Sequence, residues 1–151
     1  MSQAVNPAFQ AEVALAIGAQ TIASATDTDG TGIDMSKYDK VAAVVQFGNV
    51  TASSGTVLVK LQESATVGGT YTDIAGATTA ALTLADAIDN KRVCLYFDGR
   101  RRNAFVRVRI VSAGTVTGCP ITFGVFMLGG AQKSIDPAVA YHAAAAGDPS
   151  G

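Results

Sequence analysis

Along most of this chain hydrophobic residues return at every second position, the period of a strand whose side chains alternate between two faces. Val13, Leu15 and Ile17 form one such stripe, with Ala14 and Ala16 between them. Val41, Ala43, Val45 and Phe47 form a second; Val57, Val59 and Leu61 form a third, opposed by Thr56, Lys60 and Gln62. Shorter runs follow at Tyr71 to Ile74, at Ala80, Leu82 and Leu84, and at Val93, Leu95 and Phe97. Val106, Val108 and Ile110 alternate with Arg107 and Arg109, the clearest inside/outside pattern in the chain, and Ile121, Phe123, Val125 and Met127 close the series. Gly68-Gly69 and Asp98-Gly99 are dipeptides of the kind that reverse a hairpin. No segment of the body keeps a 3.6-residue period, although Asp86 to Asn90 has room for one helical turn. Short strands joined by short turns pair antiparallel, so the pattern predicts an all-β fold: an antiparallel β-sandwich, jelly-roll-like, of about eight strands.

The two ends break the alternation. Residues 1–10 hold little pattern beyond Phe9, and residues 131–151 hold Ala143 to Ala146, two prolines, glycines and His142, the single histidine. Such segments bury too little apolar surface to order themselves. The expected organisation is therefore one sandwich domain over 11–130, flanked by flexible N- and C-terminal arms that fold against a neighbour or stay loose.

Composition sharpens this picture. Only 15% of the 151 residues are charged, 48% are hydrophobic and the formal net charge is −1. Little charge means little repulsion between copies, which favours association and implies an exterior covered by other subunits. Nothing approaches the run of about 18 apolar residues needed to cross a membrane as a helix. The apolar stretch 11–17 is too short, and lacks the basic flank, for a secretory signal, so synthesis in a cytoplasm is expected. In a reducing compartment Cys94 and Cys119 read as buried free thiols, although a bridge between their strands is geometrically possible. Asn49-Val50-Thr51 matches a glycosylation acceptor and is most simply a turn.

Reactive chemistry is sparse. Ser, Thr and Cys nucleophiles lack a histidine base, because His142 lies in the tail, and the acids form no evident catalytic pair. No tryptophan is present to stack a sugar. The expectation is a non-enzymatic protein without cofactor or metal. Asp27, Asp29, Gly30, Gly32 and Asp34 match part of a calcium loop, but the glycine comes too early and no bidentate glutamate follows, so an inter-strand loop is the stronger reading. The basic residues are the remaining candidates. Lys91, Arg92, Arg100, Arg101, Arg102, Arg107 and Arg109 are seven of the eleven. If 91–97 and 104–111 paired as a hairpin, the triple arginine would sit at its tip. A guanidinium donates two parallel hydrogen bonds to a carboxylate or phosphate, so a contact patch for an acidic protein surface is one reading. A solvated loop with intramolecular acid partners is the other. Nucleic acid fits less well, since the pI is about 5.7 and no aromatic-interleaved basic face is visible. Arg100, Arg101, Arg102, Arg107, Arg109 and Phe9 are thus the candidate partner contacts.

The order of segments adds a resemblance. Val41 to Phe47 precedes GTVLVKLQES at 55–64, a Gly-Gly turn and YTDI at 71–74; NAFVRVRI at 103–110 and a closing apolar strand ending at Gly129-Gly130 follow. Over roughly residues 35–130 this resembles the small β-sandwich head decoration, or cement, proteins of tailed bacteriophages. The resemblance implies a structural virion protein on the outer capsid surface, partnered by the major capsid protein and by copies of itself, commonly as trimers. Many weak contacts repeated over a symmetric shell hold such a protein by avidity. The arginine-rich segment has no counterpart in that pattern. Competing readings are a tail-tube or head–tail connector subunit, a carbohydrate- or receptor-binding module, and a small hydrolase on a β-scaffold.

Overall fold

A computed structural model describes residues 12–36, 38–51, 54–84, 88–98 and 103–129. These residues form eleven strands and no helix: β1 Glu12–Ile17, β2 Gln20–Ile22, β3 Thr28–Asp29, β4 Ile33–Asp34, β5 Lys40–Phe47, β6 Thr56–Ser64, β7 Thr72–Thr78, β8 Leu82–Thr83, β9 Arg92–Asp98, β10 Phe105–Ala113 and β11 Cys119–Gly129. Each of the eight expected strands has its counterpart; β2, β3 and β4 are additions of two or three residues, too short to carry a period. The arms expected at 1–10 and 131–151, with Phe9 and His142, lie outside the described residues.

Two antiparallel sheets make the sandwich. The front sheet runs β1-β11-β5-β9, with β2 also on β11; the back sheet runs β3-β10-β6-β7, with β4 on β10 and β8 on β6. Only β6 and β7 among the long strands are chain neighbours paired to each other, and Gly68-Gly69 lies in their connection. The other long connections cross between sheets, as in a jelly roll. The conditional hairpin of 91–97 with 104–111 is one casualty: β9 pairs with β5 in the front sheet, whereas β10 pairs with β6 in the back sheet. Strand β9 carries apolar side chains on both faces, so alternation alone could not assign its partner.

The core lies between the sheets. Val41, Ala43, Val45 and Phe47 of β5 and Phe126 and Leu128 of β11 meet Val57, Val59 and Leu61 of β6 and Val106, Val108 and Ile110 of β10, all buried. Each such side chain removed from water contributes roughly 1.5–3 kcal/mol. The 23–26 turn, at the β2 end of the core, is held by polar side chains rather than by packing. The Ser112 hydroxyl has the carbonyls of Ala23 and Thr26 within reach of its one proton (2.8 and 3.0 Å), and the Ser24 hydroxyl donates to that of Val116 at 2.8 Å. Gly30 joins the layers: its N–H donates to the Val108 carbonyl at 2.8 Å, and the next residue, Thr31, donates to the Ala16 carbonyl of β1 at 2.9 Å. A Cβ on Gly30 would lie 2.1 Å from that same oxygen, so only glycine lets the chain pass there.

Candidate functional site

The two outer faces differ in chemistry. On the back sheet, register places Asp29 of β3, Arg109 of β10, Lys60 of β6 and Thr78 of β7 in one row, with Arg107, Gln62 and Asp73 in the next. These groups satisfy one another. Arg107 donates through Nε and Nη2 to Gln62 Oε1 at 3.0 and 2.8 Å, and its Nη2 lies 3.1 Å from Asp29 Oδ2. Gln62 donates onward to Asp73 Oδ1 at 2.7 Å, where Lys60 Nζ also donates, to Oδ2 at 2.8 Å. Arg109 is paired with Asp27 and reaches Asp29 at 3.4 Å. The Tyr71 ring covers Arg107, 4.2 Å from guanidinium carbon to centroid. The hydrogen bond from Lys60, then that from Gln62, holds the Asp73 carboxyl below its ordinary value against a small opposing effect of burial. The hydrogen bond to Asp27 raises Arg109, so this guanidinium stays charged.

Arg107 and Arg109 thus stand on the outer back face with acids some eighty residues earlier, Asp27 just before β3 and Asp29 within it. Arg100, Arg101 and Arg102 lie outside the described residues, as does Phe9. The part-match to a calcium loop is engaged piecemeal: Asp27 and Asp29 face the arginines, and Asp34 Oδ1 accepts from the Ser36 N–H at 2.9 Å.

The front sheet presents the opposite surface. Two bulges set its facing. The β1–β11 register shifts between Leu15 and Ile17, and the β11–β5 register between Ile121 and Phe123. One added residue exchanges the faces of everything beyond it. Ile17 and Ile121 therefore point into the core, but Val13, Leu15, Phe123 and Met127 point out. Two outward rows run across all four strands: Val13, Met127, Ala42 and Tyr96; then Leu15, Val125, Val44 and Cys94. Val13 is 63% exposed, Leu15 60%, Tyr96 75%, Met127 47% and Phe123 38%. Small Ala42 between tall Tyr96 and Met127 leaves a groove of about 520 Å³, ended by Lys40 and Asp98. Arg92 marks the opposite end of β9. Beside it, Gln46 turns its amide to the carbonyls of Phe47, Asn90 and Lys91 at 2.8, 3.0 and 3.2 Å, so it adds little polarity to the face.

Cys94 stands on this face and is exposed, which corrects the expectation that both thiols are buried; both are free. Cys119 is buried, and burial pushes its thiol up to about 11. The apolar face was missed in the sequence, although its signal is there: β1, β5, β9 and β11 are apolar at odd and even positions alike.

No protein-family model matches this chain, and no curated protein matches it in sequence. Among solved structures it is similar to a chain of the infectious bursal disease virus particle, at 13% identity and a TM-score of 0.50, covering 80% of this chain and 32% of that one. This chain thus spans about a third of that viral chain. It is also similar to a chain of Bacillus endospore appendages (14% identity, TM-score 0.41, 80% and 88% covered) and to a xylan-binding module (17%, 0.34, 77% and 76%). The first likeness shows the fold: a β-sandwich of the kind found in an icosahedral virus particle.

Proposed function

We propose that this protein is a non-enzymatic structural subunit of a virion, a decoration protein bound to the outer capsid surface of a tailed bacteriophage. One observation carries the proposal: among the described residues the middle of one sheet face is apolar and exposed, with charge only at its ends, while the opposite face satisfies its own charges. A protein that works alone gains nothing from such a face, whereas a subunit of an assembly buries it. The segment order shared with decoration proteins and the likeness to a virus-particle chain support the same reading. Partners are copies of the chain and the major capsid protein; the trimer is implied by the resemblance alone.

The test is to mix purified protein with intact particles of its phage, sediment them and image the pellet. Ordered density at fixed positions outside the shell is the expected result. Density confined to the tail would favour a tail-tube or connector subunit instead, and no binding would remove the virion role. Tyr96 favours one second reading, a carbohydrate-binding module, because its ring stands on the lip of a groove. That groove offers a sugar few polar side chains beyond Lys40 and Asp98. A glycan array with no hit disposes of it.

A further inference from the structure

We infer that the outer face of the front sheet is covered by the same face of a second copy of this chain, the two sheets stacking about a two-fold axis. The inference rests on the reading that this protein works by having its surface covered, and it names the cover.

Three observations carry it. The first is area. Val13, Leu15, Tyr96, Phe123 and Met127, with the smaller residues between them, expose on the order of 500–600 Å² of apolar surface, the upper end for a monomer and most of the ~800 Å² per partner of a standard interface. The second is complementarity. An apolar face needs an apolar counterpart, and the remaining large hydrophobic exposed among the described residues is Val67, alone in the β6–β7 connection. A second copy therefore offers one matching surface, the face itself. A patch that binds itself is isologous, and an isologous contact closes on two copies. The third is charge. The net charge of −1 opposes association little. Along the strands the face ends in Lys40 and Asp98 together on one side and in Arg92 on the other. A two-fold axis in the plane of the face and across the strands sets the Arg92 end of each copy over the neutral Lys40/Asp98 end of the other, so no like charges are stacked.

Sedimentation equilibrium of the full-length protein across roughly a hundredfold range of concentration tests this. The wild type is expected to show reversible dimers, or even-numbered assemblies built from them. Met127→Lys and Leu15→Lys each place an ammonium in the contact and are expected to weaken association by about tenfold or more. Tyr96→Ser trims a ring that stands mostly in water, so it tests the same contact with little risk to folding; its expected loss is smaller but in the same direction. Thr78→Lys, on the outer back face, is expected to leave association unchanged. A wild type that stays monomeric, or forms trimers, overturns the inference, as does a dimer indifferent to all three front-face variants. Particle binding, measured separately, keeps the two proposals apart. A monomer that still decorates particles, and loses them on Met127→Lys, would assign the face to the capsid wall and leave the virion role standing.

Discussion

The front and back sheets share one core yet solve their outer surfaces in opposite ways. On the back sheet Arg107, Gln62 and Asp73 form a chain of hydrogen bonds, and Asp27 and Asp29 close it against Arg109. Each exposed ion pair there contributes little, about 0–1 kcal/mol, but together they leave the face complete in water. On the front sheet Val13, Leu15, Tyr96 and Met127 take the equivalent positions and, the Tyr96 hydroxyl aside, present only apolar area. The contrast teaches that alternation tells which residues can face a core, whereas the second face tells whether the sandwich is finished. This one is finished on one side.

Thiol chemistry separates the outside of the front sheet from the interior most sharply. Cys94 is exposed on the front face and Cys119 is buried where β11 begins. In the dissociated monomer, at low protein concentration, Cys94 should label promptly with a maleimide reagent. Cys119 should wait for unfolding, slower by about a thousandfold or more for a domain of ordinary stability near 5 kcal/mol. Rapid labelling at both, followed by peptide mass mapping, would show that the core is open at β11.

Next in size is the shared core. Phe126 is fully buried between faces that otherwise have little in common. Phe126→Ala should cost about 3–5 kcal/mol in a denaturant titration, and both faces should be lost in one transition. Two separated transitions would mean the sheets are stabilised independently, and the comparison would become one between two folding units.

A third variant acts on the back sheet alone. Gln62 is buried, accepts two hydrogen bonds from Arg107 and passes one to Asp73. Gln62→Leu keeps approximate volume but leaves Arg107 short of its acceptor, at about 1–3 kcal/mol. Front-face substitutions such as Leu15→Lys should change the monomer's stability by less than about 0.5 kcal/mol, since the side chain is mostly in solvent. If Leu15→Lys destabilised the monomer more than Gln62→Leu, the assignment of a finished and an unfinished face would be reversed.

Much of the fold can be read in the sequence because β5, β6 and β10 are long and their burial follows their alternation, throughout β5 and β10 and as far as Leu61 in β6. The short strands β2 to β4 carry no period and exist through tertiary pairing to β10 and β11. The acids that pair with Arg107 and Arg109, Asp27 just before β3 and Asp29 within it, are distant in sequence, so residue type announced the guanidinium groups but not their acids. The facing of β1 and β11 depends on single-residue bulges at Leu15/Ile17 and Ile121/Phe123. A two-residue repeat of apolar side chains reads the same before and after such a shift, so Val13 and Leu15 share a stripe with core-facing Ile17, and Phe123 and Met127 share one with core-facing Ile121. The same ambiguity leaves β9 free to pair with β10 as far as the sequence tells, whereas its neighbour is β5.

The smallest expected effect is a titration. Lys60 and Gln62 hydrogen-bond the ionised Asp73 carboxylate and hold its pKa below 3.8. A carboxylate whose folded pKa is depressed stabilises the fold above the unfolded value, and loses that contribution as pH falls through the folded one. Wild type and Asp73→Asn should therefore differ at neutral pH, with the wild type more stable, and converge as the pH drops below about 4. The carboxylate is more than half exposed, so solvent screening keeps the difference small and added salt should shrink it further. On the front face Val13 stands in a row with no carboxylate, alongside Met127, Ala42 and Tyr96, so Val13→Asn should show no acid-dependent change. A pH-independent gap between wild type and Asp73→Asn would mean that Asp73 acts through shape rather than charge, and the back face would then owe its completeness to the Arg107–Gln62 bonds alone.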